Sequence, residues 1–131
     1  MLQYRIVQKI NPREPANPAK YYALGVSQGE IGVRELADRI ADLSTVTTID
    51  TLAVLEALLK VIPKELAAGR IVRLGELGTF RLNLKSEGSD KPENFNNSMI
   101  KGTNLLFRAG KLFRNVLKTV EFAKVKVNQS L

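Results

Sequence analysis

The sequence has 131 residues, of which 44% are hydrophobic and 25% are charged, a length and composition typical of one globular domain with its own core. It contains no cysteine and no histidine, so disulfides, thiolate chemistry, the commonest general base and the commonest transition-metal ligand are all excluded. The formal net charge of +7 favours an anionic partner, whereas nothing in the composition favours an enzyme, a metal site or a cofactor.

The positive charge is concentrated towards the end of the chain. Residues 103–131 contain one acidic residue, Glu121, against six basic ones, which are Arg108, Lys111, Arg114, Lys118, Lys124 and Lys126. The preceding stretch, residues 85–102, is neutral, and its charged residues are Lys85, Lys91 and Lys101 against Glu87, Asp90 and Glu93.

The first 30 residues predict a β-hairpin. Residues 3–10 and 20–26 read as strands, while residues 11–18 contain three prolines that exclude regular structure. Arg5 and Lys9 interrupt the first strand, so it is not a secretory signal, and no apolar run is long enough to span a membrane. The expected location is therefore the cytoplasm, with no membrane partner.

A helical hairpin is predicted next. Ser27 and Glu30 have the spacing of a capping box at a helix start, and Ile31 or Val33 are the alternative first residues. Apolar residues recur on one helical face through the following turns, which predicts the first helix over residues 31–43.

The second helix is predicted over residues 49–68. Thr47 or Thr48 is its expected N-cap, and Asp50 lies in the first turn, where a negative charge suits the helix dipole. Pro63 lies inside the pattern and should kink the helix or divide it. Together the two helices present more apolar surface than one small domain can cover, which predicts dimerisation.

A β-ribbon is predicted after the helices. Residues 70–74 and 79–84 alternate as strands, and residues 75–78 contain the two glycines that a tight turn needs. Residues 85–98 are polar and turn-rich, which indicates a flexible excursion, and residues 99–107 return as a strand.

The chain is predicted to close with a helix and a strand. The helix begins at Ala109 or Gly110, and its apolar side carries Leu112, Phe113, Val116, Leu117 and Val120. The last strand covers residues 121–127 and is predicted to pair with the N-terminal hairpin. Its residues expected to face inward are Phe122 and either Val125 or Val127.

Two motifs flank the ribbon. Residues 69–80 read Gly-Arg-Ile-Val-Arg-Leu-Gly-Glu-Leu-Gly-Thr-Phe, and residues 107–111 read Phe-Arg-Ala-Gly-Lys. In order and separation they resemble the bacterial histone-like proteins of the HU and integration-host-factor family. The family turn is Leu-x-Gly-Phe-Gly-x-Phe and its later motif is Phe-x-Pro-Gly-Lys; the departures here are Glu76, Leu77 and Ala109.

The resemblance implies an α+β, HU-like fold within a single domain over residues 1–131. Its core over 31–119 has the helical hairpin, a three-stranded sheet with a ribbon arm at about 84–104, and the closing helix, in an intertwined homodimer. Residues 1–30 and 120–131 are additional strand segments, which place the chain in a longer HU-related group.

The resemblance also implies non-sequence-specific binding, bending and compaction of double-stranded DNA in the nucleoid. Two arms reach around the duplex, basic side chains neutralise phosphates, and a proline near each tip wedges between base steps. A heterodimer with a related protein is an alternative to the homodimer. The candidate DNA-binding residues are Arg70, Arg73, Arg81, Lys85, Lys91, Pro92, Lys101, Arg108, Gly110, Lys111, Arg114 and Lys118.

The closing helix carries the best-placed of these candidates. Gly110, near the helix start, offers backbone donors to a phosphate. Lys111, Arg114 and Lys118 are spaced on one helix face, where a solvated polar face is the alternative explanation. The strand candidates Arg70, Arg73 and Arg81 are explained equally well as exposed positions of alternating strands.

The arm leaves a second function open. It lacks the family's basic Arg-Asn-Pro-x-Thr-Gly tip, and Pro92, between Asp90 and Glu93, is either a wedge or a loop-shaping residue; Phe95 and Met99 are alternative wedges. The neutral arm and the two appended strand segments favour a protein-interaction or structural module with weak or no DNA binding. Arm lysines projecting on one face favour DNA, whereas interleaved signs favour the module.

Overall fold

The computed structural model of the protein describes residues 1–126. They form two compact units, residues 1–31 with 117–126, and residues 32–116. In chain order the strands and helices are β1 (Leu2–Lys9), β2 (Lys20–Val26), α1 (Val33–Asp42), α2 (Thr48–Ala67), β3 (Val72–Arg73), β4 (Gly78–Ser86), β5 (Ile100–Ala109), α3 (Lys111–Thr119) and β6 (Phe122–Lys124). This confirms the predicted α+β element order, while the inclusion of both units in a single domain stays a prediction.

The N-terminal unit contains a three-stranded sheet with the order β2-β1-β6. β1 and β2 pair antiparallel from Gln3 opposite Val26 to Lys9 opposite Lys20, which confirms the predicted hairpin. β6 runs parallel to β1 on its other side, which confirms the predicted pairing of the last strand.

One predicted orientation in this sheet is wrong. Phe122 was expected to face inward but is 67% exposed. It pairs with Leu2 in the parallel ladder and lies on the same open face as Tyr4. Residues 1–31 and 117–126 contain a single sheet. Alternation along its strands directs side chains to two faces, and neither face is buried. Val125 is half-buried, and Val127 lies outside the described residues.

The helical hairpin begins without the predicted capping box. Ser27 Oγ instead accepts a hydrogen bond from the Gly29 N–H at 3.1 Å, which closes a local turn. Gly29 has a φ of 113°, a conformation that ends any continuous helix through this segment. α1 starts at Val33, one of the predicted alternatives, behind an extended Gly32.

α2 is capped by Thr47 rather than Thr48. The Thr47 side chain accepts a hydrogen bond from the Asp50 N–H at 3.2 Å. Pro63 does not divide the helix, which runs without interruption to its predicted end, where Gly69 takes a φ of 88°. Within residues 1–126, neither α2 nor any other helix is long and apolar enough to cross a membrane.

The second unit, residues 32–116, has a small core. α1 packs against α2. The buried side chains of the described residues are Ala37, Thr51 and Leu66. Beside the helices, the rings of Phe80 and Phe107 lie 4.8 Å apart, and Phe113 meets Phe107 edge-on at 5.9 Å. Much of the remaining apolar surface of this unit stays open.

The sheet of this unit has the order β3-β4-β5, with antiparallel pairing throughout. This confirms the predicted three-stranded sheet with a ribbon. β3 is shorter than the strand predicted over 70–74, whereas β4 continues to Ser86. The polar excursion contains two single 3₁₀ turns, Pro92–Asn94 and Asn97–Met99. α3 begins at Lys111, one residue after the later of its two predicted starts.

Candidate nucleic-acid interface

The two faces of the β-ribbon differ in chemistry. Residues paired across an antiparallel ladder share a face, as do alternate residues along each strand. Arg81 pairs with Leu106, and Thr79 lies between Arg73 on β3 and Arg108 on β5. One face, here named the basic face, therefore carries Arg73, Thr79, Arg81, Asn83, Lys85, Asn104, Leu106 and Arg108. The opposite face carries Val72, Phe80, Leu82, Leu84, Leu105 and Phe107.

Four arginines line a cleft at the root of the arm. The cleft has a volume of about 480 Å³, and its lining includes Arg73, Arg81, Arg108 and Arg114. Neighbouring strands lie about 4.8 Å apart, so the backbones of Arg73 and Arg108, which flank Thr79, are about 10 Å apart. All four arginines are exposed. The fold thus brings four arginines to one concave surface.

No carboxylate of residues 1–126 forms an ion pair with these four arginines. The ion pairs of the described residues join Arg70 to Glu65 at 2.7 Å and Lys101 to Glu87 at 3.4 Å. A guanidinium group presents a planar fork of donors that matches two oxygens of a phosphate. The cleft can therefore bind phosphate groups without first breaking an internal ion pair.

The N–H of Gly110 is already hydrogen-bonded within the protein, whereas its contact with a phosphate stays a prediction. Its N–H donates to the carbonyl of Leu77 at 2.9 Å, and the N–H of Leu112 donates to the carbonyl of Glu76 at 3.1 Å. A Cβ atom at Gly110 would lie 2.1 Å from the Glu76 carbonyl oxygen. Gly110 thus anchors the start of α3 against the β3–β4 turn, and this close approach positions the cleft's Arg114.

The charges of the arm are interleaved. Lys85 lies on the basic face, but the Nζ of Lys101 is 3.4 Å from a carboxylate oxygen of Glu87. Lys91 and Pro92 lie beyond the ladder, at the first 3₁₀ turn. At the Lys101–Glu87 pair, opposite charges of the arm thus lie side by side. Such interleaved charges favour a protein-interaction module over DNA binding.

The remaining candidates lie on α3. Lys111, Arg114 and Lys118 are all exposed on α3, and of these the cleft lining includes Arg114 alone. Asn83 and Asn104, which pair across the ribbon on the basic face, were missed from the sequence. Each is a polar residue in a predicted strand, but only the pairing register of β4 and β5 shows that both lie on the same face as the arginines.

The chain belongs to the family described as an HU domain fused to a wHTH, Ig or glycine-rich motif, whose model matches residues 1–124. This confirms the resemblance to HU seen in the sequence. A cocrystal structure of Anabaena HU with DNA is 26% identical, with a TM-score of 0.53, and the match covers 69% of this chain and 100% of that one.

A crystal structure of a bacterial protein from Bacteroides vulgatus ATCC 8482 shares the fold at 14% identity, with a TM-score of 0.64. The match covers 95% of this chain and 48% of that one, so the chain spans about half the length of that protein. No curated protein matches the chain.

Proposed function

We propose that the protein binds double-stranded DNA without sequence specificity, and that it bends and compacts the duplex as a homodimer in the nucleoid of the cytoplasm. The observation that carries this proposal is the cleft with Arg73, Arg81, Arg108 and Arg114, none of which is ion-paired within residues 1–126. The DNA bound by HU in the Anabaena cocrystal supports it, because the family is shared.

The composition of the basic face supports duplex over single-stranded nucleic acid. Proteins that bind single strands stack unpaired bases on aromatic side chains. Here the rings of Phe80 and Phe107 lie on the opposite face of the ribbon and pack against each other. The basic face offers arginine, lysine, asparagine and threonine, which suit the phosphates of a duplex. Phosphate contacts carry no base information, so sequence-tolerant binding follows.

The exposed apolar surface of a single chain supports the homodimer. Leu43 is 89% exposed, Ile49 is 80% exposed and Leu59 is 56% exposed in the helical hairpin. Burying one such side chain contributes about 1.5–3 kcal/mol, so a second copy that covers them gains considerable free energy. A heterodimer with a related chain covers the same surface and is the alternative. Either dimer presents two arms to one duplex, which allows the duplex to bend between them.

The proposal is tested by replacing Arg73, Arg81 and Arg108 together with alanine. We expect more than tenfold weaker binding to a random fluorescent duplex and, for six lost phosphate contacts in a dimer, a salt slope shallower by about 5. The measurement is fluorescence anisotropy at several salt concentrations. The matched control replaces three exposed arginines outside the cleft with alanine, which are Arg13, Arg34 and Arg39. Equal losses of affinity in the two variants would refute the cleft as the DNA site. Wild-type binding that does not depend on salt concentration would refute it as well.

A protein-interaction module remains the second candidate, and one observation favours it besides the Lys101–Glu87 pair. The N-terminal sheet has an open apolar cleft of about 530 Å³. Its lining consists of Leu2, Tyr4, Ala23, Gly25 and Phe122. Large exposed apolar patches mark interaction sites, among them those for other proteins. Wild-type protein that fails to bind duplex even at low salt would make this candidate the better one.

A further inference from the structure

The basic face loses its charge towards the end of the arm. Arg81 lies near the root, Asn83 and Asn104 pair in the middle, and Lys85 pairs with Gly102 near the end. The ladder register then shifts between Lys85 and Ser86. From the root to the end of the arm, the basic face thus carries guanidinium groups, then uncharged amides and then a single ammonium group.

Beyond this shift lies a segment that we name the tip, residues 87–99. Its acidic residues Glu87, Asp90 and Glu93 outnumber its one basic residue, Lys91. The neighbouring Lys101, whose Nζ lies 3.4 Å from a Glu87 carboxylate oxygen and 3.2 Å from the Ser98 carbonyl oxygen, offsets one of these charges. The three acidic residues still outnumber the two lysines. The tip therefore presents net negative charge, which phosphates repel.

The tip also folds upon itself. The Ser89 hydroxyl donates to the Lys91 carbonyl at 2.8 Å, and the Asn96 side chain accepts from the Ser98 N–H at 3.0 Å. Two single 3₁₀ turns replace a tight hairpin turn between the strands. These local bonds satisfy polar groups that would otherwise be free to contact a ligand.

None of the three wedge candidates of the tip is suited to insertion between bases, and the third of them, Met99, is half-buried. A wedge enters the base stack as an apolar group flanked by phosphates. Pro92 opens the first 3₁₀ turn, and the carboxylate of Glu93 follows it directly. Phe95 is only 40% exposed. Insertion of either ring would bring a carboxylate of the tip towards the backbone phosphates.

We propose that the carboxylates of the tip keep the end of the arm off the DNA, so that contact ends at the arginines of the arm root. Glu87 has the central position, because its carboxylate pairs with the neighbouring Lys101. This inference rests on the proposed duplex binding by the basic face. The acidic residues of the tip then determine how far along the arm the DNA is contacted.

The first test neutralises the tip with Glu87→Gln, Asp90→Asn and Glu93→Gln. The matched control makes the same change of charge at three exposed residues of α1, with Glu35→Gln, Asp38→Asn and Asp42→Asn. With the carboxylates neutralised, Lys91 and Lys101 add four phosphate contacts in a dimer, so we expect binding about fivefold tighter than the control and a salt slope steeper by about 4. A tip variant indistinguishable from the control would overturn the inference.

The second test replaces Pro92 and Phe95 with alanine in the otherwise unchanged chain. We expect the Kd for duplex, and the end-to-end distance of a doubly labelled bound duplex measured by energy transfer, to stay at their wild-type values. Weaker binding or a longer distance would show that the tip is inserted and would overturn the inference.

The two proposals fail in different ways. If wild type binds and responds to the arginine substitutions while the tip variant equals its control, the inference alone is wrong. If only the tip-neutralised variant binds duplex, the inference holds and the proposed function of the wild type is wrong. If no variant binds, both are wrong. Circular-dichroism melting of each variant confirms that every chain compared is folded.

Discussion

At the scale of single residues, two glycines hold the cleft together by allowing close approach. A Cβ at Gly110 would lie 2.1 Å from the Glu76 carbonyl oxygen, and one at Gly78 would lie 2.4 Å from a ring carbon of Phe107. The Glu76 carbonyl is part of the backbone, which cannot move aside as the end of a flexible side chain can. We therefore expect Gly110→Ala to cost about 1–3 kcal/mol of unfolding free energy or more, measured by urea denaturation at fixed protein concentration.

Gly88 supplies the control for this prediction. No atom lies within 4 Å of a Cβ built there, and its φ is not in the left-handed region. Gly88→Ala should leave stability unchanged or raise it by about 0.4–1 kcal/mol, because alanine restricts the unfolded chain. Equal losses from Gly110→Ala and Gly88→Ala would mean that the approach to Glu76 has no consequence for stability.

The residue scale is also where prediction from sequence was weakest. The Ser27–Glu30 spacing fits a capping box, but the side chain of Ser27 closes a turn with Gly29 instead. Gly110 was assigned to phosphate binding because it precedes a helix, whereas the Leu77 carbonyl occupies its N–H. Both outcomes depend on which backbone segments meet, and local spacing does not contain that information.

At the scale of elements, the N-cap of α2 gives a prediction that separates two adjacent threonines. The Thr47 side chain accepts from the Asp50 N–H at 3.2 Å, while Thr48 is already the first residue of the helix. Thr47→Ala should therefore destabilise the protein by about 1 kcal/mol. Thr48→Ala should change stability by less than about 0.5 kcal/mol. Thermal denaturation of the two variants measures the difference, and a larger effect at Thr48 would contradict the assigned cap.

Helices and strands were predicted well where the apolar pattern stays regular over many residues. The strand over 20–26 and the two helices follow directly from their apolar patterns, and the structure reproduces them within about two residues. β3 was predicted too long, since Ile71 continues the alternation without joining the ladder. The two 3₁₀ turns of the tip went unpredicted, because they depend on local hydrogen bonds among polar residues rather than on apolar spacing.

The candidate site was predicted in part, and the register explains the remainder. Arg73, Arg81 and Arg108 were each chosen from strand alternation or from the family motif. Their common face could not be deduced, because a shift of one residue in the pairing would send alternate side chains to the other side. The tip's ion pair, Glu87 with Lys101, depends on the same pairing.

At the scale of the whole molecule, a single chain leaves apolar surface that a folded protein normally covers. In α2, Val54, Leu58 and Val61 recur at helical spacing and are 65%, 37% and 51% exposed. If a second copy covers this surface, as proposed above, the stability of the protein depends on its concentration.

Val61→Glu tests this directly. In an isolated chain the substitution is mild, because Val61 is 51% exposed and a glutamate there reaches water. In a dimer that covers this stripe it places an unpaired charge in an apolar interface, which costs several kcal/mol. We expect analytical ultracentrifugation to find the variant monomeric at concentrations where wild type is dimeric, with a lower melting temperature. The neighbouring Lys60→Glu introduces the same side chain at an exposed polar position, and should leave the dimer intact. Dimerisation of Val61→Glu equal to that of Lys60→Glu would place any interface elsewhere on the molecule.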